Sequence, residues 1–339
     1  MLERLKKLCE LNGISGNEDE VRDYIISQIS GKCEYTVDNL GNILCFKKGK
    51  NTPEKKLMIS AHMDEVGMIV TYINSDGTLK ISPVGGVDSR VIFGRAVSVG
   101  KDKINGVIGS KAVHNLTAEE KDTAVKAEKL YIDIGALNKE NARDYVTPGD
   151  SVSFLADFLE FGDGFIKSKA IDDRAGCAVI LEMIDSELEY DTHFAFVTQE
   201  EIGLRGAKAA AYTINPDIAI VLEATTAADI PEVSDDKRVC ILGKGTVVSF
   251  MDKATVYDRE LYRLAFDEAS KNGIPCQTKT MVAGGNDSGS IHISRGGVRT
   301  VAISVPCRYL HSPSCVIKLE DLESMKKLAF KLASRVHNA

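Results

Sequence analysis

Apolar residues recur at helical spacing at the start of the chain. The stripe from Leu2 to Leu11 predicts an amphipathic helix. Ser15 precedes Glu18 by three residues, a spacing typical of a capping box, and this predicts the start of a second helix. Continuous apolar runs over residues 42–46 and 57–61 then predict two short buried strands.

The pattern changes over residues 67–164, where short alternating runs are separated by glycine-containing turns. Residues 97–99, 107–109 and 131–134 fit half-buried strands at the spacing of a sandwich or barrel. Within this segment we expect a helix only over residues 116–129. The pattern therefore predicts an all-β module.

Helical and strand patterns alternate again beyond this module, as in an α/β domain. Continuous apolar strands of this kind are typical of a sheet that is covered on both faces. Because the α/β pattern stops and resumes, we interpret residues 67–164 as an insertion into a domain formed by residues 1–66 and 165–339. The later predicted elements are helices at 174–188, 206–212, 259–272 and 319–336 and strands at 193–198, 218–222 and 298–305.

The composition is that of a mildly acidic globular protein, and it excludes several classes of function. The net charge of −7 argues against a general nucleic-acid binder. The eight cysteines include no C-x-x-C pair, so neither a zinc ribbon nor a disulfide framework is indicated. No apolar run is long enough to span a bilayer, and the amino-terminal helix lacks a signal-peptide core. We therefore expect a cytoplasmic protein without a membrane partner.

The first candidates for chemistry are His62 and Asp64, which follow the apolar run at 57–61. In extended backbone, residues two apart project from the same face, so Asp64 can reach the imidazole of His62 and fix its tautomer. This arrangement is typical of a histidine that binds a metal ion. The alternative interpretation is a surface-turn histidine beside a solvated acid.

Two adjacent acids, Asp172 and Asp173, directly precede the predicted helix at 174–188. One of them can cap the helix, which is an ordinary structural role. The second then has no evident role unless a metal ion or Arg174 takes it. A carboxylate at such a strand-to-helix corner suits a bridging ligand, since each of its two oxygens can face one metal ion.

The strongest local signal is the pair Glu200 and Glu201 at the end of an apolar strand. Two carboxylates there are costly unless they meet a cation or a proton. Neighbouring side chains in extended backbone diverge, so the pair fits a division into one metal ligand and one general base. A solvated helix start is the alternative interpretation.

Glu223 and His311 follow two further predicted strands. Each has an ordinary alternative, a strand end that meets water for Glu223 and a structural loop histidine for His311. However, ligands in open α/β sheets gather at the carboxyl ends of the strands. These two residues, like His62 and Glu201, follow such ends, and the four come from different strands. This convergence favours one shared metal site.

The motifs around these residues resemble the tetrahedral aminopeptidase family, the glutamyl-aminopeptidase-like group of dinuclear metallopeptidases, in which some members are labelled endoglucanase. The similarity covers essentially the whole chain in the same order. Two positions depart from the family pattern: Glu223 stands where Asp is usual, and Asn286 replaces the Thr of a Gly-Gly-Thr-Asp motif. The matching segments are Ala61-His-Met-Asp-Glu-Val-Gly67, Lys169-Ala-Ile-Asp-Asp-Arg174, Thr198-Gln-Glu-Glu-Ile-Gly203, Gly284-Gly-Asn-Asp287 and Arg308-Tyr-Leu-His-Ser-Pro313.

The resemblance implies an α/β fold, with a mixed-sheet αβα catalytic domain of the phosphorylase/hydrolase type and an inserted all-β, barrel-like domain used for dimerisation. It implies two divalent metal ions per subunit, zinc or cobalt, although the ligand types also suit manganese. It further implies homo-oligomers in which dimers form a tetrahedral dodecamer. The implied roles are terminal ligands of one metal for His62 and Glu223, terminal ligands of the other for Glu201 and His311, the bridge for Asp172, the general base for Glu200 and the orienting of His62 for Asp64.

Our leading hypothesis is an aminopeptidase that removes N-terminal residues from short unblocked peptides, with a metal-bridging hydroxide as nucleophile and Glu200 as general base. A glycosidase is the alternative from another class, but its carboxylate pair leaves the histidines unused, and the chain has no tryptophan to stack on sugars. A metal-binding scaffold without activity does not need Glu200. Deacylation of small amides is the enzymatic alternative that the same metals and base serve. The preferred N-terminal residue stays open.

Overall fold

A large mixed sheet forms the framework of the chain in the computed structural model, which describes residues 1–338. The strands, in chain order, are β1 (Glu34–Val37), β2 (Ile43–Lys47), β3 (Leu57–His62), β4 (Gly67–Ile73), β5 (Leu79–Val84), β6 (Ala96–Val99), β7 (Ile104–Gly109), β8 (Tyr131–Asp133), β9 (Ser151–Phe154), β10 (Leu159–Phe161), β11 (Phe165–Ser168), β12 (Thr192–Val197), β13 (Ile218–Thr226), β14 (Thr246–Val248), β15 (Cys276–Thr278), β16 (Arg299–Cys307) and β17 (Cys315–Lys318). The large sheet has the order β1-β2-β12-β3-β13-β16-β14-β15, and β10, β11 and β17 form a small separate sheet.

Helices cover both faces of the large sheet, which confirms the predicted αβα layering. In chain order they are α1 (Leu2–Glu10), α2 (Asp19–Ile29), α3 (Ser89–Ile92), α4 (Ala118–Lys121), α5 (Lys139–Arg143), α6 (Ile171–Asp185), α7 (Arg205–Ile214), α8 (Arg259–Lys271), α9 (Ser288–Ile291) and α10 (Leu319–Ala333). Side chains alternate along β3, so Ile59 joins the core formed with α1, α2, α6, α8 and α10, whereas Met58 joins the smaller core formed with α7 and α9. Among the described helices, none combines the length and apolarity needed to cross a membrane.

A closed six-stranded barrel occupies the middle of the chain, in the order β4-β5-β8-β7-β6-β9. Its interior is a separate apolar core that includes Val97 and Ile132. The predicted all-β module is therefore a barrel whose strands run from Gly67 to Phe154. The bounds 67 and 164 remain a prediction, and within them β10 pairs with β11 of the small sheet.

The segment 116–129 does hold a helix, but a much shorter one than expected, and it is not the only helical segment of the module, because α3 and α5 also lie there. Within 116–129, only Ala118–Lys121 forms an α-helix, and short 3-10 turns stand on either side of it. Thr117 and Glu120 form a capping box that starts this helix. It ends where Asp122 and Thr123 follow, because both residue types have low helix propensity.

Two smaller expectations also differ from the structure. Ser15 and Glu18 do not form a capping box, since α2 has no side-chain cap and the Ser15 hydroxyl donates to Asp64 instead. Glu223 does not end its strand, because β13 continues to Thr226 through further pairing with β16.

Four neighbouring strands of the large sheet end at the same edge. In this sheet β12 pairs in parallel with β3, β3 with β13, and β13 with β16. Their carboxyl ends therefore lie side by side, where ligands of α/β sheets bind. His62 is the last residue of β3, and Asp64 follows it. Glu201, Glu223 and His311 lie near the ends of β12, β13 and β16 or on the loops that follow, and Asp172 lies at the start of α6.

Candidate active site

Asp172 lies at the centre of the site, between two histidines. Its Oδ1 is 3.4 Å from His62 Nε2, and its Oδ2 is 3.7 Å from His311 Nε2. Glu223 Oε2 lies 3.8 Å from His62 Nε2, and Glu201 Oε2 lies 3.3 Å from His311 Nε2. The structure thus brings these predicted residues together as two groups that share Asp172.

The backbone at Asp172 departs from helical geometry, which separates the two adjacent aspartates. Asp172 and Asp173 both have non-helical φ/ψ angles at the start of α6, and the peptide bond between them is cis. Asp173 Oδ1 accepts a hydrogen bond of 2.8 Å from the Gly176 backbone N–H, as a helix cap does. Asp173 therefore serves the helix, while Asp172 faces the histidines.

Asp64 is fully buried and connects several parts of the site. Its Oδ1 lies 3.4 Å from His62 Nδ1 and accepts a hydrogen bond of 3.0 Å from the Glu200 backbone N–H. Its Oδ2 accepts from the Glu201 N–H at 3.1 Å and from the Ser15 hydroxyl at 2.6 Å. Burial alone raises the pKa of Asp64, but the contacts with His62, Ser15 and Glu200 bring this pKa below its ordinary value. Asp64 thus holds the loop of both glutamates as well as His62.

Glu200 and Glu201 lie in a loop, because β12 already ends at Val197. Their carboxylates do not diverge as they would in extended backbone, and one oxygen of each lies within 4.8 Å of the other and of a His62 ring nitrogen. Glu201 also reaches His311. The Glu200 carboxylate forms no hydrogen bond or ion pair with the part of the chain that the structure describes.

The site holds more buried acid than its histidines can neutralise. Burial raises the pKa of Glu201 and of Glu223 well above the ordinary value, and the charge of Asp172 adds to both shifts. Burial also raises the pKa of Glu200 to about 7. Burial lowers the pKa of His62, but the nearby carboxylates of Asp172, Asp64 and Glu223 raise that pKa well above the ordinary value. Such a cluster needs protons or cations.

The donor atoms fit divalent cations. Ligand atoms placed about 2.1 Å from a tetrahedral zinc ion lie about 3.4 Å apart. The four histidine–carboxylate distances, between 3.3 and 3.8 Å, agree with that spacing. Among residues 1–338, Asp172 Oδ1 and Glu223 Oε1 are buried oxygens that accept no hydrogen bond, so they are available to a cation. Imidazole and carboxylate donors suit zinc, cobalt or manganese.

His311 is linked to the barrel. Its Nδ1 lies 3.1 Å from the carbonyl oxygen of Gly86, which follows β5. A Cβ atom at position 86 would lie 3.2 Å from the same nitrogen, so the two segments pack closely. The contact assigns the ring proton to Nδ1, because a carbonyl oxygen can only accept, and it leaves Nε2 as the nitrogen that faces Asp172 and Glu201.

Residues 284–286 line the site, and hydrogen bonds hold Asn286 in place. Asn286 Nδ2 donates to the Tyr257 hydroxyl at 3.1 Å, and its Oδ1 accepts from the Ser288 backbone N–H at 2.9 Å. The Tyr257 hydroxyl donates to Asp252 Oδ2 at 2.6 Å. These bonds fix the orientation of the Asn286 side chain. Sequence reasoning missed Tyr257 and Asp252, since no local pattern marks them.

The site opens into a cleft with a cavity volume of about 210 Å³. The lining residues are Asp172, Glu200, Glu201, Glu223, Ala224, Thr225, Thr226, Val239, Lys279, Ala283, Gly284, Gly285, Asn286, Ser304, Leu310 and His311.

A second cluster of buried charge adjoins the site, and its members pair with one another. Glu65 Oε1 accepts from Lys169 Nζ at 2.6 Å and from the Gly13 backbone N–H at 3.1 Å, and it lies 3.6 Å from Arg174 Nη2. We call Glu65, Lys169 and Arg174 the Glu65 network. It joins the loop after β3 to the segment that carries Asp172. Sequence reasoning assigned Glu65 and Lys169 no role, and it named Arg174 only as a possible partner of the second aspartate.

Comparison with known proteins matches the chain to one family. Residues 41–328 match the family model described as M42 glutamyl aminopeptidase. A putative aminopeptidase of Acetivibrio thermocellus is 41% identical over 97% of this chain and 97% of its own length. The glutamyl aminopeptidase of Lactococcus lactis is 32% identical over 95% of this chain and 92% of its own. The lysyl aminopeptidase of Pyrococcus furiosus is 32% identical over 96% of this chain and 95% of its own.

Solved structures share the fold over nearly the whole chain. The TET1 peptidase of Pyrococcus horikoshii, described as assembling into a tetrahedron or a large octahedral shell, is 36% identical, with a TM-score of 0.88 over 98% of this chain and 99% of its own. A Thermotoga maritima protein named endoglucanase is 38% identical, with a TM-score of 0.81 over 98% of this chain and 97% of its own.

Proposed function

The chain belongs to the M42 glutamyl aminopeptidase family and is an aminopeptidase, and we propose that it uses two divalent cations to remove N-terminal residues from short unblocked peptides. The family resemblance inferred from the sequence is thereby confirmed. The metal count, the nucleophile and the role of each residue go beyond family membership and are part of the proposal.

The position of Asp172 carries the proposal. One carboxylate oxygen faces His62 and Glu223, and the other faces His311 and Glu201. A carboxylate that presents its two oxygens to two histidine–glutamate pairs is suited to bridge two cations. We therefore assign Asp172 as the bridge and the four neighbouring residues as terminal ligands.

When bound, the two cations would polarise the scissile carbonyl and activate water for attack. The Glu200 carboxylate makes no hydrogen bond or ion pair with the described residues, so it is available to accept the proton of the attacking water and to pass it to the leaving amine. Asp64 orients His62 and, through the two backbone amides, positions Glu200 beside it.

The arrangement supports peptide hydrolysis over glycoside hydrolysis. A glycosidase places two carboxyl groups on opposite sides of the scissile bond and has no use for the histidines. Here the acids gather with two histidines around one bridging carboxylate. A chelator should therefore abolish activity, whereas a glycosidase with a carboxylate pair would be insensitive to it.

We further propose that the chain acts in the cytoplasm as a homo-oligomer, with barrels pairing subunits into dimers and dimers forming a tetrahedral dodecamer. Support comes from the likeness to the TET1 peptidase, which assembles into a tetrahedron or a large octahedral shell. Multi-angle light scattering distinguishes a dodecamer of the 36.8-kDa chain from a dimer or monomer.

The decisive experiment is a panel of aminoacyl-p-nitroanilides, each with an N-acetylated counterpart, assayed with zinc, cobalt and manganese after chelation. We expect cleavage of the free substrates alone, because the free α-amino group is to be bound within the site. Equal cleavage of the acetylated substrates would contradict exopeptidase action.

A further inference from the structure

Lys279 is a buried cation in the wall of the active-site cleft. Only 8% of its surface is exposed. It directly follows β15, and its backbone N–H donates to the Val248 carbonyl at 3.0 Å, so its place in the fold is fixed by the large sheet. Its side chain makes no hydrogen bond or ion pair with any residue that the structure describes. A buried charge without a partner is costly.

The acids nearest to Lys279 are committed to other groups. Asp252 accepts from the Thr255 backbone N–H at 2.8 Å and from the Tyr257 hydroxyl at 2.6 Å. Glu223 belongs to the group around His62. Burial lowers the pKa of Lys279, and these two acids oppose that shift only from beyond ion-pair distance. The charge on Lys279 is therefore uncompensated within the described chain.

The rest of the cleft does not supply an anion for Lys279. The lining acids are those gathered around the two histidines, and the other cationic candidate, His311, already pairs with Glu201 and Asp172. The walls formed by residues 224–226 and 283–285 are neutral. A carboxylate on the substrate would supply the counter-ion that Lys279 lacks.

We propose that Lys279 determines specificity by binding the side-chain carboxylate of an acidic N-terminal residue, glutamate or aspartate. This inference rests on the proposed aminopeptidase function, because the cleft must hold the first residue of the peptide. Family membership does not decide the matter, since one relative with 32% identity is named glutamyl and another with 32% identity is named lysyl aminopeptidase.

Aminoacyl-p-nitroanilides test this directly, because they carry no C-terminal carboxylate that Lys279 could bind instead. In the wild-type enzyme we expect kcat/KM for the glutamyl or aspartyl substrate to exceed that for the leucyl and lysyl substrates. In Lys279→Met, kcat/KM for the acidic substrate should fall on the order of 10²-fold, because the substrate carboxylate would be buried without its cationic partner. The value for the leucyl substrate should stay unchanged or rise.

Lys253→Met is the matched control, because it removes the same charge from an exposed residue that lies outside the cleft lining. It should leave the ratio of glutamyl to leucyl activity unchanged. If Lys279→Met does not fold, inhibition of the wild-type enzyme by free glutamate and free leucine provides the second measurement, and glutamate should bind more tightly.

Several results would overturn the inference. These are a wild-type preference for leucyl or lysyl substrates, an unchanged ratio in a folded Lys279→Met enzyme, or tighter inhibition by leucine than by glutamate. Each leaves the aminopeptidase proposal standing. Cleavage of N-acetylated substrates, in contrast, would overturn the proposed function itself.

Discussion

Two clusters of buried charge lie next to each other in this molecule, and they are balanced in different ways. In the Glu65 network, one carboxylate meets a lysine and lies near an arginine, all almost fully buried. Around Asp172, several carboxylates meet two histidines, and buried oxygens remain without hydrogen bonds in the described chain. The carboxylate of the first cluster has its cations within the chain, and the unsatisfied groups there are two buried nitrogens of Arg174. The second cluster holds surplus acid and needs cations from outside the chain.

The difference separates structural charge from functional charge. A paired buried network loses stability when one member is removed, because the partner is left uncompensated. A cluster of surplus acid without bound ions, in contrast, becomes more stable when one acid is removed. Substitutions in the two clusters should therefore affect different observables.

The largest expected effect is on catalysis. Glu200→Gln should lower kcat/KM by about 10³-fold or more, since it removes the proposed general base. The free energy of unfolding should change little, because the Glu200 carboxylate has no partner among the described residues. Steady-state kinetics and metal analysis check this, with metal content expected to stay nearly intact. Activity that survives the substitution would refute the assigned base.

The Glu65 network should show the opposite response. Lys169→Met leaves Glu65 buried without its lysine, so the free energy of unfolding should fall by about 3 kcal/mol. Urea unfolding measures this loss. The control is Lys326→Met, which breaks a more exposed ion pair with Glu323 and should cost less than about 1 kcal/mol. Equal losses in the two variants would remove the distinction between the clusters.

Metal removal tests the acidic cluster around Asp172. With free metal at about 100 times its dissociation constant, binding should stabilise the fold by about 2.7 kcal/mol, and a chelator should remove this gain. Thermal unfolding with and without the chelator checks it. Asp172→Asn should make the transition insensitive to the metal, and a full metal response in that variant would argue against a bridging role.

The smallest effect concerns a partly exposed pair at the start of α8. Asp258 accepts from the Glu260 and Leu261 backbone N–H groups and pairs with Arg299 at 2.8 Å. Burial raises the pKa of Asp258, but these contacts bring it below the ordinary value of 3.8. Asp258→Ala should therefore cost about 1 kcal/mol at neutral pH.

The sign of the pH dependence follows from that lowered pKa. The ionised Asp258 contributes its stability fully above pH 3.8 and loses it as the pH falls through the lower folded-state pKa. The difference in unfolding free energy between wild type and Asp258→Ala should thus shrink in acid. A difference that grew in acid would contradict the assignment.

Most of the site could be predicted because it follows buried strands. An apolar run that ends in a charged residue marks the carboxyl end of a strand, and in a parallel sheet such ends converge. His62, Glu201 and Glu223 were found in this way, and β12, β3 and β13 are indeed neighbours. The metal and catalytic roles of these residues remain predictions.

The contacts that could not be predicted join segments far apart in the chain. Ser15 reaches Asp64, and Tyr257 reaches Asn286, only because the fold brings these segments together. No local pattern separates such residues from ordinary polar ones. The Ser15 to Glu18 spacing even favoured a helix cap, since a local rule cannot know that a distant aspartate accepts the same hydroxyl.

The contact between His311 and Gly86 has a consequence for protein engineering. The barrel looks like a removable module, because its strands close on themselves and enclose their own core. Yet the carbonyl of Gly86, in the inserted segment, is the partner of His311 Nδ1. A truncated chain without the barrel would leave this imidazole free to swap its ring proton and rotate, so the minimal working unit of this enzyme includes its insertion.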